Sequence, residues 1–324
     1  MNLHENRELY NDAIVATAQM TGLPEIYVEK DYWVTVALHA IFASECGDYA
    51  IFKGGTALSK CFNVIERFSE DIDIVLLKDG TESGNQLKNK LKRISDKVAN
   101  IFPEIETPGI TNKHGMIRKT VHSYQKNFNG EFGQVNDRII LETTWLGSFE
   151  PYTTDFVSSF VAEMMKTTGQ TNLIEEYNLQ PFQVNILSEE RTLCEKIMSL
   201  VRFSFTPNPI SDLSNKVRHI YDIHKLLSAE EIKTFFDSDD FESMLLKVAS
   251  DDVLSFKNNN EWLANHPSTA IIFSDSENTW NKVKNAYFSS FAELVYGDLP
   301  TEDQLLETLR IVYQRLEDIN WKLS

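Results

Sequence analysis

Apolar positions recur at helical spacing over residues 4–21, where Leu9, Ala13, Ala16 and Met20 form one stripe on a polar background. Pro24 introduces a second and longer amphipathic helix, IYVEKDYWVTVALHAIF, whose Tyr32, Trp33, Leu38 and Ile41 should face a core before the chain turns near Gly47. The period then shortens. Tyr49-Ala50-Ile51-Phe52 is a compact apolar run closed by Gly54-Gly55, which predicts a strand and then a turn. Thr56 to Ile65 reads as a helix with Ala57, Leu58, Cys61 and Phe62 inward, and Asp71 to Leu77 as the next strand. Gln86 to Phe102 is a helix carried by Leu87, Leu91, Ile94 and Val98. Between Gly115 and Leu146 two β-like runs, MIRKTVHSYQK and DRIILETTW, flank a glycine-containing turn in a hairpin pattern.

Phe182 to Leu187 gives one more strand, and from Glu189 the texture changes. Helical spacing dominates to the end, over 189–203, 215–227, 229–236, 239–250, about 277–296 and 301–319, with Pro300 separating the last two. The expected class is α+β: a mixed sheet flanked by helices over residues 1–188, then a helical C-terminal domain over 189–324.

At 324 residues the chain is long enough for two domains, and 42% apolar with 24% charged residues is ordinary for a globular protein. The net charge of −17 repels phosphate backbones at long range, so any nucleic-acid contact needs a local basic patch. Lys88, Lys90, Lys92, Arg93, Lys97, Lys113, Arg118 and Lys119 are the one cluster of that kind, and the same residues would serve equally as a solvated helix face with compensating acids. Cys46, Cys61 and Cys194 lack metal-ligand spacing and suit a reducing cytoplasm. No leader-like pattern opens the sequence and no apolar run reaches membrane-spanning length, so the expectation is a soluble cytoplasmic protein with no membrane partner.

The chemistry concentrates in Lys53-Gly54-Gly55-Thr56-Ala57-Leu58-Ser59 and Arg67-Phe68-Ser69-Glu70-Asp71-Ile72-Asp73. A Gly-Gly turn between strand and helix lets the backbone approach a ligand closely, and the free N–H groups of the first helical turn favour phosphate. Thr56 can offer a hydroxyl, while Lys53 and Lys60 can neutralise triphosphate charge. Asp71 and Asp73 alternate on the next strand, so their carboxylates share a face with Ser69, roughly 7 Å apart along the chain. Hard oxygen ligands of this kind suit magnesium, held by one or two carboxylates plus substrate phosphates. An isolated Asp-x-Asp is more often a solvated strand edge. The apolar flanks Ile72, Ile74, Val75 and Leu76 argue instead for a buried strand, where unpaired acids are costly.

These two runs resemble the AbiEii/AbiGii toxin family, which includes the MenT-type toxins, within the DNA polymerase β-type nucleotidyltransferase superfamily. The resemblance implies a nucleotidyltransferase fold, dependence on magnesium and NTP, and nucleotide transfer to an acceptor, which in the MenT-type branch is the 3′ end of tRNA. It also implies a toxin of a type IV toxin–antitoxin or abortive-infection system, with a cognate antitoxin encoded nearby. Glu190-Arg191-Thr192-Leu193-Cys194-Glu195-Lys196-Ile197 resembles the family motif bearing a functional lysine, which falls on Lys196. Arg218-His219-Ile220-Tyr221-Asp222-Ile223 resembles its last motif, with the aspartate on Asp222, although His219 stands where many members carry an acid. Glu29-Lys30-Asp31-Tyr32-Trp33 is similar to the family too, without an assignable chemistry.

The wider superfamily usually has a third acid beside the pair, and Glu142, the acid within Arg138-Ile139-Ile140-Leu141-Glu142, is the candidate for a general base. Lys196 and Asp222 also admit a plain reading, as a solvated lysine and a helix-surface ion-pair partner. The expected division of labour has Asp71 and Asp73 holding metal, with Lys53, Gly54, Gly55, Thr56 and Ser69 around the nucleotide. The helical half then supplies Lys196, oriented by Asp222. Transfer to a protein hydroxyl or small molecule, and nucleotide binding without turnover, are the competing functions.

Overall fold

The computed structural model describes residues 2–133, 135–256 and 259–323. The chain divides into two compact units: Met1–Asn63, Arg67–Trp145 and Tyr152–Ile186 in the first, Val64–Glu66, Leu146–Pro151 and Leu187–Ser324 in the second.

The first unit is built on a six-stranded mixed sheet. Its strands are β1 (Ala50–Lys53), β2 (Ile72–Leu76), β3 (Ile117–His122), β4 (Ile139–Thr144), β5 (Tyr152–Val157) and β6 (Phe182–Leu187), in the spatial order β3-β4-β2-β1-β6-β5. β1 runs antiparallel to β2 and parallel to β6, and β2 runs parallel to β4. β3 and β4 pair antiparallel as expected, yet the segment joining them is residues 123–138 and not a tight turn. The mixed α/β architecture agrees with the α+β expectation.

Two helices before the sheet, α1 (Arg7–Thr21) and α2 (Glu25–Phe42), fall where the spacing put them. The buried stripe of α1 is Tyr10, Ala13, Ile14, Thr17 and Ala18, whereas Ala16 and Met20 face solvent. The two stripes are comparable in apolar area, so packing and not periodicity chooses between them, and Tyr10 packs edge-on against Tyr32 of α2. α2 is not amphipathic in its first half: every residue from Ile26 to Val34 is buried, including Glu29, Lys30 and Asp31. The helix α3 begins two residues early, at Gly54–Ala57, passes into a π-helical stretch at Leu58–Phe62, and stops where Asn63 takes φ +54°. The helix therefore does not reach Ile65. α4 (Gly84–Ala99) is fixed by a capping box between Ser83 and Gln86, and Leu87, Leu91, Ile94 and Val98 are all buried.

β5 and the helix after it, α5 (Phe160–Thr167), had no signal in the sequence. β5 is an edge strand with Tyr152, Thr153, Thr154 and Phe156 exposed, so no apolar alternation marks it. A short α6 (Thr171–Glu176) precedes β6.

The second unit is helical apart from its connections. Its main elements are α7 (Glu189–Ser204), α8 (Pro209–Ser214), α9 (Val217–Leu227), α10 (Glu230–Asp237), α11 (Asp239–Ser255), α12 (Ile271–Ser274), α13 (Ser276–Ala286) and α14 (Glu302–Glu317). Arg191 in α7 is almost fully buried, and its guanidinium donates to Asp251 at 2.6 Å and to the Glu150 carbonyl at 3.3 Å. It pins residues 146–151 to the helices of this unit. Trp280, Tyr287 and Phe291 pack together in its core, with Tyr221 edge-on to Phe291. No helix among the described residues is long and apolar enough to cross a membrane.

Candidate active site

The sheet of the first unit aligns four of its charged residues in one row. Lys53 on β1 stands opposite Asp73 on β2, Asp73 is in register with Glu142 on β4, and Glu142 with Lys119 on β3. Residues in register on neighbouring strands project from the same face, so the order across the sheet is cation, anion, anion, cation. All four are half-buried, while their strand neighbours Phe52, Ile72, Ile74, Leu141 and Thr143 are buried. Lys119 closes on Glu142 at 3.1 Å.

Two acids adjacent in the row are electrostatically costly. Burial, with Asp71 and Glu142 alongside, pushes the Asp73 carboxyl up to about 7, and Lys53 and Lys119 only partly offset this. Lys119 is correspondingly raised, its burial outweighed by Glu142 and then by Asp71 and Asp73.

The glycine turn lies against this row. Gly54 has φ +85°, in the region that favours glycine, and a Cβ there would fall 2.6 Å from Asp73 Oδ2. The Asp73 carboxylate thus rests directly over the turn. Gly55 is equally constrained: its Cβ would meet the Arg67 guanidinium at 2.6 Å and Ser69 Oγ at 3.0 Å. Thr56 and Ser69 hydroxyls are 3.0 Å apart, which joins the first helical turn to the segment leading into β2. Gly54→Ala is expected to cost roughly 1–3 kcal/mol from backbone strain and to displace Asp73. Thermal denaturation and Mn2+ binding check this, and an alanine variant with unchanged metal affinity would show that the close approach is incidental.

Lys60 takes no part. It is buried and committed to Asp31 at 2.6 Å, the Thr35 hydroxyl at 2.9 Å and the Ser158 carbonyl at 3.2 Å, so it is a structural cation and not a triphosphate contact. Most of the basic cluster is likewise engaged. Lys90 pairs with Glu82, Lys92 with Asp96, Lys97 with Glu45 and Lys113 with Glu104, while Arg118 donates to Ser95. Lys119 belongs to the carboxylate row.

The second unit joins the other two residues singled out by sequence. Lys196 on α7 donates to Asp222 on α9 at 2.6 Å, with Asp222 fully buried and Lys196 6% exposed. Lys196 is therefore not a solvated lysine, nor is Asp222 a surface partner. His219, one turn before Asp222, is held well below its usual pKa by burial and then by Lys196, and its Nδ1 is buried with no hydrogen-bond partner among the described residues. At the place where many family members carry an acid, this chain has a neutral ring.

Among the described residues no three or more His, Cys, Asp or Glu side chains form a closed metal cage. The donor set nevertheless fits magnesium, which favours one or two carboxylates and leaves its other positions to water and phosphate. The excess negative charge at Asp71, Asp73 and Glu142 is of the sign that a divalent cation relieves. Arg67, Lys119 and Lys30 were missed as parts of this region by sequence reasoning. Arg67 lies inside the quoted motif and was legible there, whereas the other two are found only through register and packing.

A family model described as "Nucleotidyl transferase AbiEii toxin, Type IV TA system" matches residues 36–310, most of the chain. No curated protein matches it.

Proposed function

The chain belongs to the AbiEii nucleotidyl transferase toxin family of type IV toxin–antitoxin systems, and from that premise we propose that it transfers a nucleotide from an NTP to an RNA hydroxyl, the 3′ end of tRNA foremost, in a magnesium-dependent reaction. The family implies the NTP substrate and a cognate antitoxin. The observation that carries the reading is the row Lys53, Asp73, Glu142, Lys119 with the Gly54 turn packed against Asp73.

In this reading the backbone at Gly54 and Gly55, the hydroxyls of Thr56 and Ser69, and the Lys53 ammonium bind the triphosphate. Asp71 and Asp73 would hold the magnesium, which when bound supplies charge neutralisation at the phosphate oxygens. Glu142 accepts the proton of the acceptor hydroxyl as its oxygen bonds to the α-phosphorus, and the bond to pyrophosphate breaks. Lys119, at 3.1 Å, holds the Glu142 side chain in place. Lys196 and Asp222, which the family's motifs assign to the reaction, form a buried ion pair within the second unit. A cytoplasmic setting goes with this proposal, in keeping with three free, buried cysteines.

A second acceptor, a protein hydroxyl, is favoured by one observation: four lysines of the basic cluster, Lys90, Lys92, Lys97 and Lys113, are already paired with acids. Incubating the protein with magnesium, each labelled NTP in turn, and total RNA or cell lysate separates the two. Label on RNA 3′ ends is the expected result. Label on protein alone would move the assignment to the second acceptor, and no transfer to either would sink both.

A further inference from the structure

Three consecutive charges buried in one helix are expensive, since each ion loses its hydration and recovers it only through well-placed partners. Glu29 and Lys30 on α2 are fully buried and Asp31 is 2% exposed. Each serves a different segment of the first unit. Glu29 accepts from the backbone N–H groups of Asn127 and Phe128 and from the Tyr10 hydroxyl. Asp31 accepts from Lys60 and from the Phe160 N–H at the start of α5. Lys30 pairs with Glu70 at 3.6 Å and donates to the Asn136 carbonyl, while the Asn136 N–H donates to the same Glu70 carboxylate at 3.1 Å.

The Lys30 ring of contacts stands at a particular place. Glu70 precedes β2 by two residues, and Asn136 precedes β4 by three. β2 and β4 are parallel neighbours, so the two strands begin at the same end of the sheet, and Lys30 holds the leading segment of each. One residue past Glu70 lies Asp71, and the register that follows sets Asp73 beside Glu142. Burial lowers the Lys30 pKa, opposed by Glu70 and then by Asp71.

We infer that Lys30 is a positioning residue: by clamping the leading ends of β2 and β4 it fixes the spacing of Asp71 and Asp73 against Glu142. Hydrophobic residues of matched volume can often replace a buried ion pair at little cost in stability, so the role inferred for this pair is geometric. This deepens the proposed function and rests on it, because the carboxylates positioned are those assigned to metal and proton transfer.

The test compares wild type, Lys30→Met, the double variant Lys30→Met/Glu70→Gln, and Glu29→Gln, measuring thermal stability, Mn2+ binding, and kcat and KM for NTP. The double variant removes both charges, while the amide introduced by Glu70→Gln keeps an acceptor for the Asn136 N–H. It is expected to fold like wild type yet to bind Mn2+ roughly tenfold or more weakly, the scale seen when groups behind a metal ligand are lost. Its kcat should fall with KM changed by no more than about twofold, since alignment and not ground-state binding is lost. Glu29→Gln, on the same helix, is expected to lower stability while leaving Mn2+ affinity unchanged. A double variant that binds Mn2+ and turns over like wild type overturns the inference while leaving the proposed function intact. Wild type that neither binds Mn2+ nor transfers nucleotide overturns both. Should the double variant not fold, Glu70→Gln alone decides by the same readouts.

Discussion

Asp73→Asn should abolish nucleotide transfer and at the same time stabilise the metal-free protein at alkaline pH. The loss of activity follows from the position of Asp73, over the Gly54 turn and between Lys53 and Glu142 in the sheet. A decrease of about 10³-fold or more is the scale for an essential group. The gain in stability follows from the electrostatics. An unfolded aspartate titrates near 4, while burial and then Asp71 and Glu142 push the folded group up to about 7. The folded chain therefore holds this proton more tightly than the unfolded chain. The stability tied to it is complete below the unfolded pKa and is lost as pH rises through about 7. Asparagine has no such charge to bury. At about pH 8 its melting temperature should exceed that of wild type, and near pH 4 the two should converge. Magnesium or manganese should close the gap at pH 8 by raising wild type alone. Calorimetry across that range, with and without metal, measures both effects. Equal stabilisation of the two proteins by metal would remove Asp73 from the metal site.

The second large effect concerns Lys196 and Asp222, whose substitutions should be unequal. Lys196→Met takes the lysine's charge from a fully buried carboxylate, at a cost of about 3–5 kcal/mol. Asp222→Asn keeps an amide oxygen that can still accept from the Lys196 ammonium, so its cost should be smaller. Both should depress transfer, because both break the pair that the family's motifs assign to the reaction. Only Lys196→Met should also lower the melting temperature strongly, by roughly 10 °C. The double substitution should recover much of that stability with none of the activity. If it recovers transfer as well, the pair is a structural ion pair and has no part in the reaction.

The local parts of the candidate site were readable because they depend on neighbours in sequence. A glycine turn between strand and helix is set by backbone sterics, and the place of Asp73 on β2 by the strand period, whereas Asp71 lies one residue before that strand. The core stripe of α4 was equally plain, since Leu87, Leu91, Ile94 and Val98 repeat at the helical period. Where two stripes competed, as on α1, the pattern favoured Leu9 and Met20, and the packing chose Tyr10 and Ile14. β5 escaped because an exposed edge strand has no face to bury.

Lysines show the limit most clearly. Lys60, Lys90, Lys119 and Lys196 are alike as letters, and each resolved differently: one buried against Asp31, one paired with Glu82, one beside Glu142, one locked to Asp222. Charge in a sequence has a sign but no partner.

By itself, the sequence determined the elements of the sheet core, the glycine turn with its acid pair, and, through its motifs, the family. These rest on periodicity and short-range sterics, which act over a few residues. The tertiary structure alone decided that Glu142 stands beside Asp73, that Lys119 belongs to that row, and that Lys30 joins the leading ends of two strands. Those relations depend on strand register and burial, which bring residues 30, 70 and 136 into one ring of polar contacts. Electrostatic energy falls off over a few ångströms, so only the folded chain could assign those charges their roles.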